Sequence, residues 1–140
     1  MLTLDRQICF PVYALSRQIT SIYRPLLDAL SLTYPQYLVF LVLWEEDKIN
    51  VKTLGKKLYL DSGTLTPLLK RLEQRGLLIR KRSPKDERVV EVFLTEEGRK
   101  LKEKAQHIPE QLVSQFHISE EKLKQLKESV TQTLQAIRQL

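Results

Sequence analysis

The sequence predicts a mainly α-helical fold with one small β-hairpin. Along most of the chain, apolar residues recur at three- and four-residue steps, the spacing that forms one face of a helix. Between residues 77 and 94 the pattern changes, because the β-branched segments LLIRKRS and RVVEVFL flank the turn residues PKDE. The 140 residues include only four glycines and six prolines and no repeat or flexible linker, so we expect one domain over residues 1–140.

The first helix is expected to begin at or just before Cys9. Pro11 lies two positions later, and a proline is well tolerated only in the first turn of a helix. From residue 12 to residue 30 the apolar positions keep a helical spacing, which predicts a long helix with one apolar face. Pro25 interrupts this pattern and marks a point at which the helix can bend or break.

The next three helices each begin after a side chain that can cap a helix. Thr33 precedes Pro35 and a helix that runs through residue 44. Asn50 precedes the short helix VKTLGKKLY, which the tight connection LDSG follows. Asp61 can cap the helix after that connection, whose leucines share one face and which ends at Gly76.

Two more helices are predicted after the hairpin. Thr95 caps the first, Pro109 is expected to kink or end it, and Ser119 caps the last helix. The N-terminal helix and these two helices have apolar faces larger than one small domain can bury. We therefore expect them to interleave with a second copy in a homodimer.

A short helix, a tight turn, a second helix and a basic hairpin together make a winged helix-turn-helix, a fold that binds DNA. The net charge is +6, and residues 70–88 hold eight basic and three acidic residues, so +5 of it lies in this segment. A focused basic segment indicates a polyanionic partner. For any one of these residues a solvated surface charge is the commoner explanation, but helix and hairpin together favour a double-stranded, pseudo-palindromic DNA operator.

The predicted DNA contacts lie on the solvent face of the helix after the tight turn and on the hairpin. Hydroxyls and a proline ring near the helix start suit base edges and thymine methyl groups in the major groove. An arginine at the tip of the hairpin suits the minor groove, and Asp86 can hold Arg88 in one rotamer. The helix contributes Ser62, Thr64, Thr66, Pro67, Lys70, Arg71 and Gln74. The hairpin contributes Arg82, Lys85, Asp86 and Arg88, and Arg80 and Lys81 add to its positive charge.

Cys9 is the only cysteine of the chain, which excludes an intrachain disulfide and a cysteine-rich zinc site. At the start of a helix, unpaired backbone N–H groups and the positive end of the helix dipole favour the thiolate. Tyr13 lies one turn further along the same face. A thiolate attacks a peroxide to give a sulfenic acid. From the residues alone, however, a free cysteine is more often a small buried apolar side chain.

The segments LTYPQYLVFLVLWE, LDSGTLTPLLKRLEQRGLLIRKRSPKDER and VFLTEEG resemble the MarR family of winged helix-turn-helix repressors over nearly the whole chain. The pattern CF-x-x-Y, the following YRPLL and LTYPQY are similar to its one-cysteine organic hydroperoxide repressors, OhrR. The resemblance implies that Cys9 is the peroxidatic cysteine and that Tyr23 and Tyr34 hydrogen-bond it across a dimer. Tyr13 matches the nearby tyrosine of the same element, whereas Pro11 stands where an ordinary apolar residue is expected.

We therefore expect a cytoplasmic transcriptional repressor that releases its operator when an organic hydroperoxide oxidises Cys9, with a small-molecule thiol available to form a mixed disulfide. Residues 1–34 and 96–140 would be mainly dimerisation helices, and residues 35–95 mainly the DNA-binding part. We expect no cofactor or metal. We also expect no membrane segment, because the longest apolar run, LVFLVLW, is too short to span a bilayer.

Three alternatives stay open at this point. A MarR-type repressor could be released by a phenolic ligand, with Cys9 inert. The chain could be a cysteine thiol peroxidase, although it has no resolving cysteine and no histidine near Cys9 in sequence. It could also be a purely architectural DNA binder without an effector.

Overall fold

A computed structural model describes residues 2–138 of the chain, which form seven α-helices, three β-strands and a short 3-10 helix at Leu4–Arg6. In chain order the helices are α1 (Cys9–Asp28), α2 (Tyr34–Glu45), α3 (Val51–Leu58), α4 (Ser62–Gln74), α5 (Glu96–Ala105), α6 (Ile108–Ser114) and α7 (Glu120–Arg138). The strands are β1 (Lys48–Asn50), β2 (Leu78–Arg82) and β3 (Val90–Leu94). The predicted fold class, mainly helical with a winged helix-turn-helix, is confirmed.

The wing is a three-stranded antiparallel sheet with the strand order β1-β3-β2, where the sequence predicted only the hairpin β2–β3. The third strand, β1, pairs Ile49 with Val92 and joins the segment before α3 to the hairpin. Ile49 and Val92 are both buried. A strand of three residues is too short to show an alternating pattern, which is why the sequence did not reveal it.

The predicted helix caps are present. Thr33 and Gln36 form a reciprocal capping box at the start of α2. The Asn50 side chain accepts from the backbone N–H of Thr53 at 2.8 Å, and Asp61 accepts from that of Thr64 at 2.8 Å. These bonds satisfy donors that the first helical turn leaves without a partner. They therefore fix where α2, α3 and α4 begin.

Pro25 lies inside a continuous helix, whereas Pro109 lies in the first turn of one. α1 continues through Pro25 to Asp28, so the helix is not broken there. The expectation that Pro109 kinks or ends the preceding helix is wrong. That helix, α5, already ends at Ala105, and Pro109 is the second residue of the separate helix α6. A first-turn proline loses no intrahelical hydrogen bond, which accounts for its position.

The chain divides into two compact units after Ile108. In the first unit, side chains from α2, α4 and the sheet form one core with the C-terminal part of α1. Its members include Leu27, Phe40, Leu65, Leu69 and Val92, each at most 1% exposed. Because this core holds α4 and the sheet together, the surface residues of both have defined positions.

α1 and α7 each expose several apolar side chains. In the first unit, α1 exposes Phe10, Val12 and Leu15. In the second unit, α7 exposes a stripe at helical spacing, formed by Leu126, Val130, Leu134 and Ile137. The predicted split into dimerisation helices and a DNA-binding part stays a prediction. Its outer limits include residues 1, 139 and 140, which lie outside the described residues.

Within residues 2–138, no helix is long and apolar enough to cross a lipid bilayer. The same residues contain no group of three or more histidine, cysteine or acidic side chains that could hold a metal ion.

Candidate nucleic-acid interface and cysteine site

The solvent face of α4 carries all the predicted helix contacts. Leu65, Leu69 and Leu72 are fully buried and turn the helix toward the core. The exposed face then presents Ser62, Thr64, Thr66, Pro67, Lys70, Arg71 and Gln74. Pro67 lies inside the helix without ending it. The structure therefore brings these seven residues to one continuous surface of hydroxyl, apolar and cationic groups, which suits base edges and phosphates in a major groove.

Hydrogen bonds to backbone carbonyls hold the hairpin turn, from which the Arg88 side chain extends. The Ser83 N–H donates to the Val89 carbonyl at 2.7 Å. Arg82 donates from Nη1 to the Glu87 carbonyl at 2.8 Å. The predicted pairing of Asp86 with Arg88 is present, since Asp86 Oδ1 accepts from the Arg88 backbone N–H at 3.0 Å and from its Nε at 3.3 Å. The Arg88 side chain is nevertheless 91% exposed, so it reaches outward from a fixed base.

Arg80 has a structural partner, although the sequence placed it among the hairpin cations. Its Nη2 and Nε donate to Glu73 Oε2 at 2.8 and 3.1 Å, and its backbone N–H donates to Glu73 Oε1 at 2.8 Å. The hydrogen bonds from Arg80 hold the pKa of the Glu73 carboxyl below its ordinary value. This contact ties α4 to β2 and sets the position of the wing relative to the helix.

A second set of hydrogen bonds, which the sequence did not reveal, links Asp47 to β3 and α5. Asp47 Oδ1 accepts from the Leu94 N–H at 2.8 Å, and its Oδ2 accepts from Arg99 Nη2 at 2.7 Å. Partial burial acts to raise the pKa of Asp47, but the bonds from Arg99 and Leu94 outweigh it, so that pKa lies below its usual range. The partners are about 50 residues apart in the chain, so no local pattern could indicate the contact.

Cys9 is exposed at the first position of α1. The preceding residue, Ile8, provides no side-chain cap. The Phe10 N–H donates to the Gln7 carbonyl at 3.2 Å, and Pro11 has no N–H to offer. The first turn thus presents fewer unpaired N–H groups to the thiol than the sequence suggested. Tyr13 follows one turn later, and the Arg17 guanidinium lies 5.4 Å from the centroid of its ring.

Tyr23 and Tyr34 lie together at the other end of α1. Their ring centroids are 4.6 Å apart, and Tyr37, which the sequence did not single out, adds a third ring 5.8 Å from Tyr23. Burial, reinforced by Tyr34 and Tyr37, raises the pKa of Tyr23 to about 12. Burial also raises the pKa of Tyr34 and that of Tyr37. All three phenols therefore stay neutral near pH 7 and can donate hydrogen bonds.

The structure keeps this ring pair away from the cysteine of the same chain. Cys9 and Tyr23 are 14 residues apart on one unbroken helix, which corresponds to about 21 Å. A contact between the Tyr23–Tyr34 pair and Cys9 within one chain is therefore excluded.

Comparison with known proteins relates the chain to transcriptional regulators. The profile of the family described as transcriptional regulator SarA/Rot matches residues 21–105. The organic hydroperoxide resistance transcriptional regulator of Bacillus subtilis (strain 168) is 54% identical over 136 residues, which make up 97% of this chain and 92% of that protein.

Among solved structures, the chain is similar to AbfR of Staphylococcus epidermidis in several states. Reduced AbfR bound to DNA has a TM-score of 0.79 at 37% identity, and the match covers 96% of this chain and 94% of that one. Overoxidized AbfR bound to DNA has a TM-score of 0.78 at 38% identity, with the same coverage. Disulfide-formed AbfR has a lower TM-score of 0.67 at 37% identity, covering 98% and 93%.

Proposed function

The chain belongs to the MarR/SarA family of winged-helix transcriptional regulators, and on this basis we propose that it acts as a homodimeric repressor that releases its operator when an organic hydroperoxide oxidises Cys9. It is a homologue of an organic hydroperoxide resistance regulator. The family is one of transcriptional regulators rather than enzymes, which decides against the thiol peroxidase alternative.

Operator binding is proposed from the surface of α4 and the wing. The exposed face of α4 enters a major groove, and Arg88 reaches the flanking minor groove. In a two-fold dimer the two α4 helices would read half-sites about one helical turn of DNA apart. The similarity to reduced AbfR bound to DNA supports this part of the proposal.

The proposed sensing step takes place at the exposed thiol. The Cys9 thiolate attacks one peroxide oxygen, the O–O bond breaks, and the products are a cysteine sulfenic acid and, after proton uptake, an alcohol. A small-molecule thiol can then displace water and leave a mixed disulfide. Because overoxidized AbfR is also bound to DNA, we expect release to follow from these reversible forms rather than from the sulfinic or sulfonic acid.

A dimer makes this site complete. The Tyr23–Tyr34 pair is neutral, partly buried and about 21 Å from its own Cys9. In the dimer each pair donates hydrogen bonds to the Cys9 of the partner subunit. Oxidation adds a polar oxygen to the sulfur, disturbs these bonds and moves α1, which acts on the reading helices.

The observation that carries the proposal is the course of α1. One unbroken helix bears the exposed cysteine at its first residue and Tyr23 near its last turn, where it joins the core that holds α4. If modification of the thiol moves α1, the movement reaches α4 through the core that both helices share.

The test is an operator-release experiment with three compounds. The operator is first selected from a random-sequence duplex library with the reduced protein, and binding is followed by fluorescence anisotropy. Stoichiometric cumene hydroperoxide should release the DNA and dithiothreitol should restore binding, whereas salicylate should have no effect. Release by salicylate but not by the hydroperoxide would instead support a phenolic-ligand repressor, and release by neither would support an architectural DNA binder.

A further inference from the structure

The end of α1 has an unusual backbone. Ser31 adopts a left-handed conformation with φ of 52°, a region that glycine normally occupies at a helix end. The Leu32 N–H donates to the Leu27 carbonyl at 3.1 Å and the Ser31 N–H donates to the Asp28 carbonyl at 3.0 Å, which together form a Schellman motif. The motif turns the carbonyls of Leu30 and Ser31 outward. These groups lie at the negative end of the α1 dipole.

Arg75 donates hydrogen bonds to this negative end. It is the residue that follows α4, and its Nη1 donates to the Ser31 carbonyl at 2.6 Å. Its Nη2 donates to the Leu30 carbonyl at 3.3 Å. One guanidinium thus joins the C-terminal end of α1 to the C-terminal end of α4, across 44 residues of sequence.

Both helix ends also contribute leucines to the buried core. Leu27 and Leu30 of the α1 end and Leu72 of α4 belong to the same buried cluster. The hydrophobic effect that stabilises this cluster is non-directional. A two-pronged charged hydrogen bond is directional, and arginine provides the fork that such a contact needs.

We propose that Arg75 is a positioning residue that couples α1 to the DNA-reading helix, so that a movement of α1 started at Cys9 reaches α4. The inference rests on the proposed redox function. α1 has 20 residues and is roughly 30 Å long, so Arg75 lies far from the Cys9 of its own chain. In the proposed dimer the Cys9 of the partner subunit comes to the end of α1 that Arg75 contacts, so the rate of sulfenic acid formation must be measured beside DNA release. The role of Arg75 is to transmit the change.

The test uses two substitutions of Arg75 and one control. Arg75→Met keeps the apolar stem and removes both donors, and Arg75→Lys keeps the charge but loses the fork. The control is Lys102→Met, because Lys102 Nζ also donates to a helix-end carbonyl, that of Trp44 at 3.2 Å, but joins α5 to α2. Each protein is measured for thermal midpoint, for the rate of dimedone labelling of oxidised Cys9, and for operator affinity before and after stoichiometric cumene hydroperoxide.

We expect Arg75→Met to bind the operator in its reduced form and to form the sulfenic acid at the wild-type rate. The ratio of oxidised to reduced dissociation constants should fall by roughly 3- to 30-fold relative to the wild type. Arg75→Lys should be intermediate, and Lys102→Met should keep the wild-type ratio.

An unchanged ratio in Arg75→Met would overturn the inference. So would a loss of reduced-state affinity at an unchanged thermal midpoint, which would make Arg75 a DNA contact. If Arg75→Met does not fold, the ratio in Arg75→Lys decides in the same way. Failure of the proposed function is seen separately, because the wild type itself would then keep its DNA in peroxide.

Discussion

Removing the Asp86 carboxylate should reduce the selectivity of the protein for its operator more than its total affinity for DNA. Asp86 holds Arg88 through its Nε at 3.3 Å and through its backbone N–H at 3.0 Å. Because the Arg88 side chain is 91% exposed, its bonds to Asp86 are what order it before DNA binds. In Asp86→Ala the arginine keeps its charge and loses its ordered geometry.

The size of the effect follows from the cost of ordering one long side chain. That cost is about 0.5–1.5 kcal/mol, and an exposed ion pair recovers only part of it. We therefore expect operator affinity to fall by roughly two- to sixfold in Asp86→Ala, while affinity for random duplex rises because a negative charge has been removed near phosphates. Arg88→Ala should cost about 1–3 kcal/mol at the operator and should relax preference at the flanking minor-groove positions.

The assay is fluorescence anisotropy with operator and random duplex at several salt concentrations, arranged as a double-mutant cycle. Glu87→Ala is the matched control, because it removes the neighbouring negative charge while the Glu87 backbone carbonyl still accepts from Arg82. Glu87→Ala should strengthen binding to both duplexes. An equal loss of operator affinity from Asp86→Ala in the wild-type and Arg88→Ala backgrounds would contradict this prediction, because the carboxylate would then act independently of the arginine.

Three further predictions concern the wing, acid stability and the dimer. Lys85→Ala should weaken binding to all sequences evenly and reduce the slope of log affinity against log salt by about one, as measured in the same titrations; an unchanged slope would remove Lys85 from the interface. The pKa of Glu73 is depressed from 4.5, so its pairing with Arg80 stabilises the fold above that pH and is lost as pH falls through the folded-state pKa; urea unfolding should therefore show a flatter decrease below about pH 4.5 in Glu73→Gln, and identical slopes would contradict this sign. Val130→Asp, in the exposed apolar stripe of α7, should convert a micromolar dimer into monomer in sedimentation velocity while Glu128→Ala does not; two unchanged dimers would place the interface elsewhere.

The sequence predicted those features that short-range chemistry specifies. Thr33, Asn50 and Asp61 precede their helices by one residue, and a capping side chain needs no information from distant parts of the chain. The solvent face of α4 followed in the same way from the spacing of its leucines. The order of the helices up to the hairpin therefore follows from local residue patterns alone.

Features that depend on distant partners could not be read from the sequence. Asp47 meets Arg99, and Arg75 meets Ser31, across 52 and 44 residues. Tyr37 joins Tyr23 only because α1 and α2 pack together. The three residues of β1 carry no strand pattern of their own. They form a strand because they pair with the edge of β3. Arg80 looked like a DNA-binding cation because its partner Glu73 lies on another element.

Peroxide-driven DNA release by Cys9→Ser shows most clearly whether Cys9 is the sensor. A serine hydroxyl is close in size to the thiol and keeps a hydrogen-bonding group, but it is not oxidised to a sulfenic acid under these conditions. In a cumene hydroperoxide titration followed by operator anisotropy, we predict that Cys9→Ser binds about as tightly as the wild type and keeps its DNA throughout. Tyr23→Phe and Tyr34→Phe should release more slowly or less completely, because each loses one donor. If Cys9→Ser releases its DNA at the same hydroperoxide concentration as the wild type, Cys9 is not the sensor and the redox account is wrong.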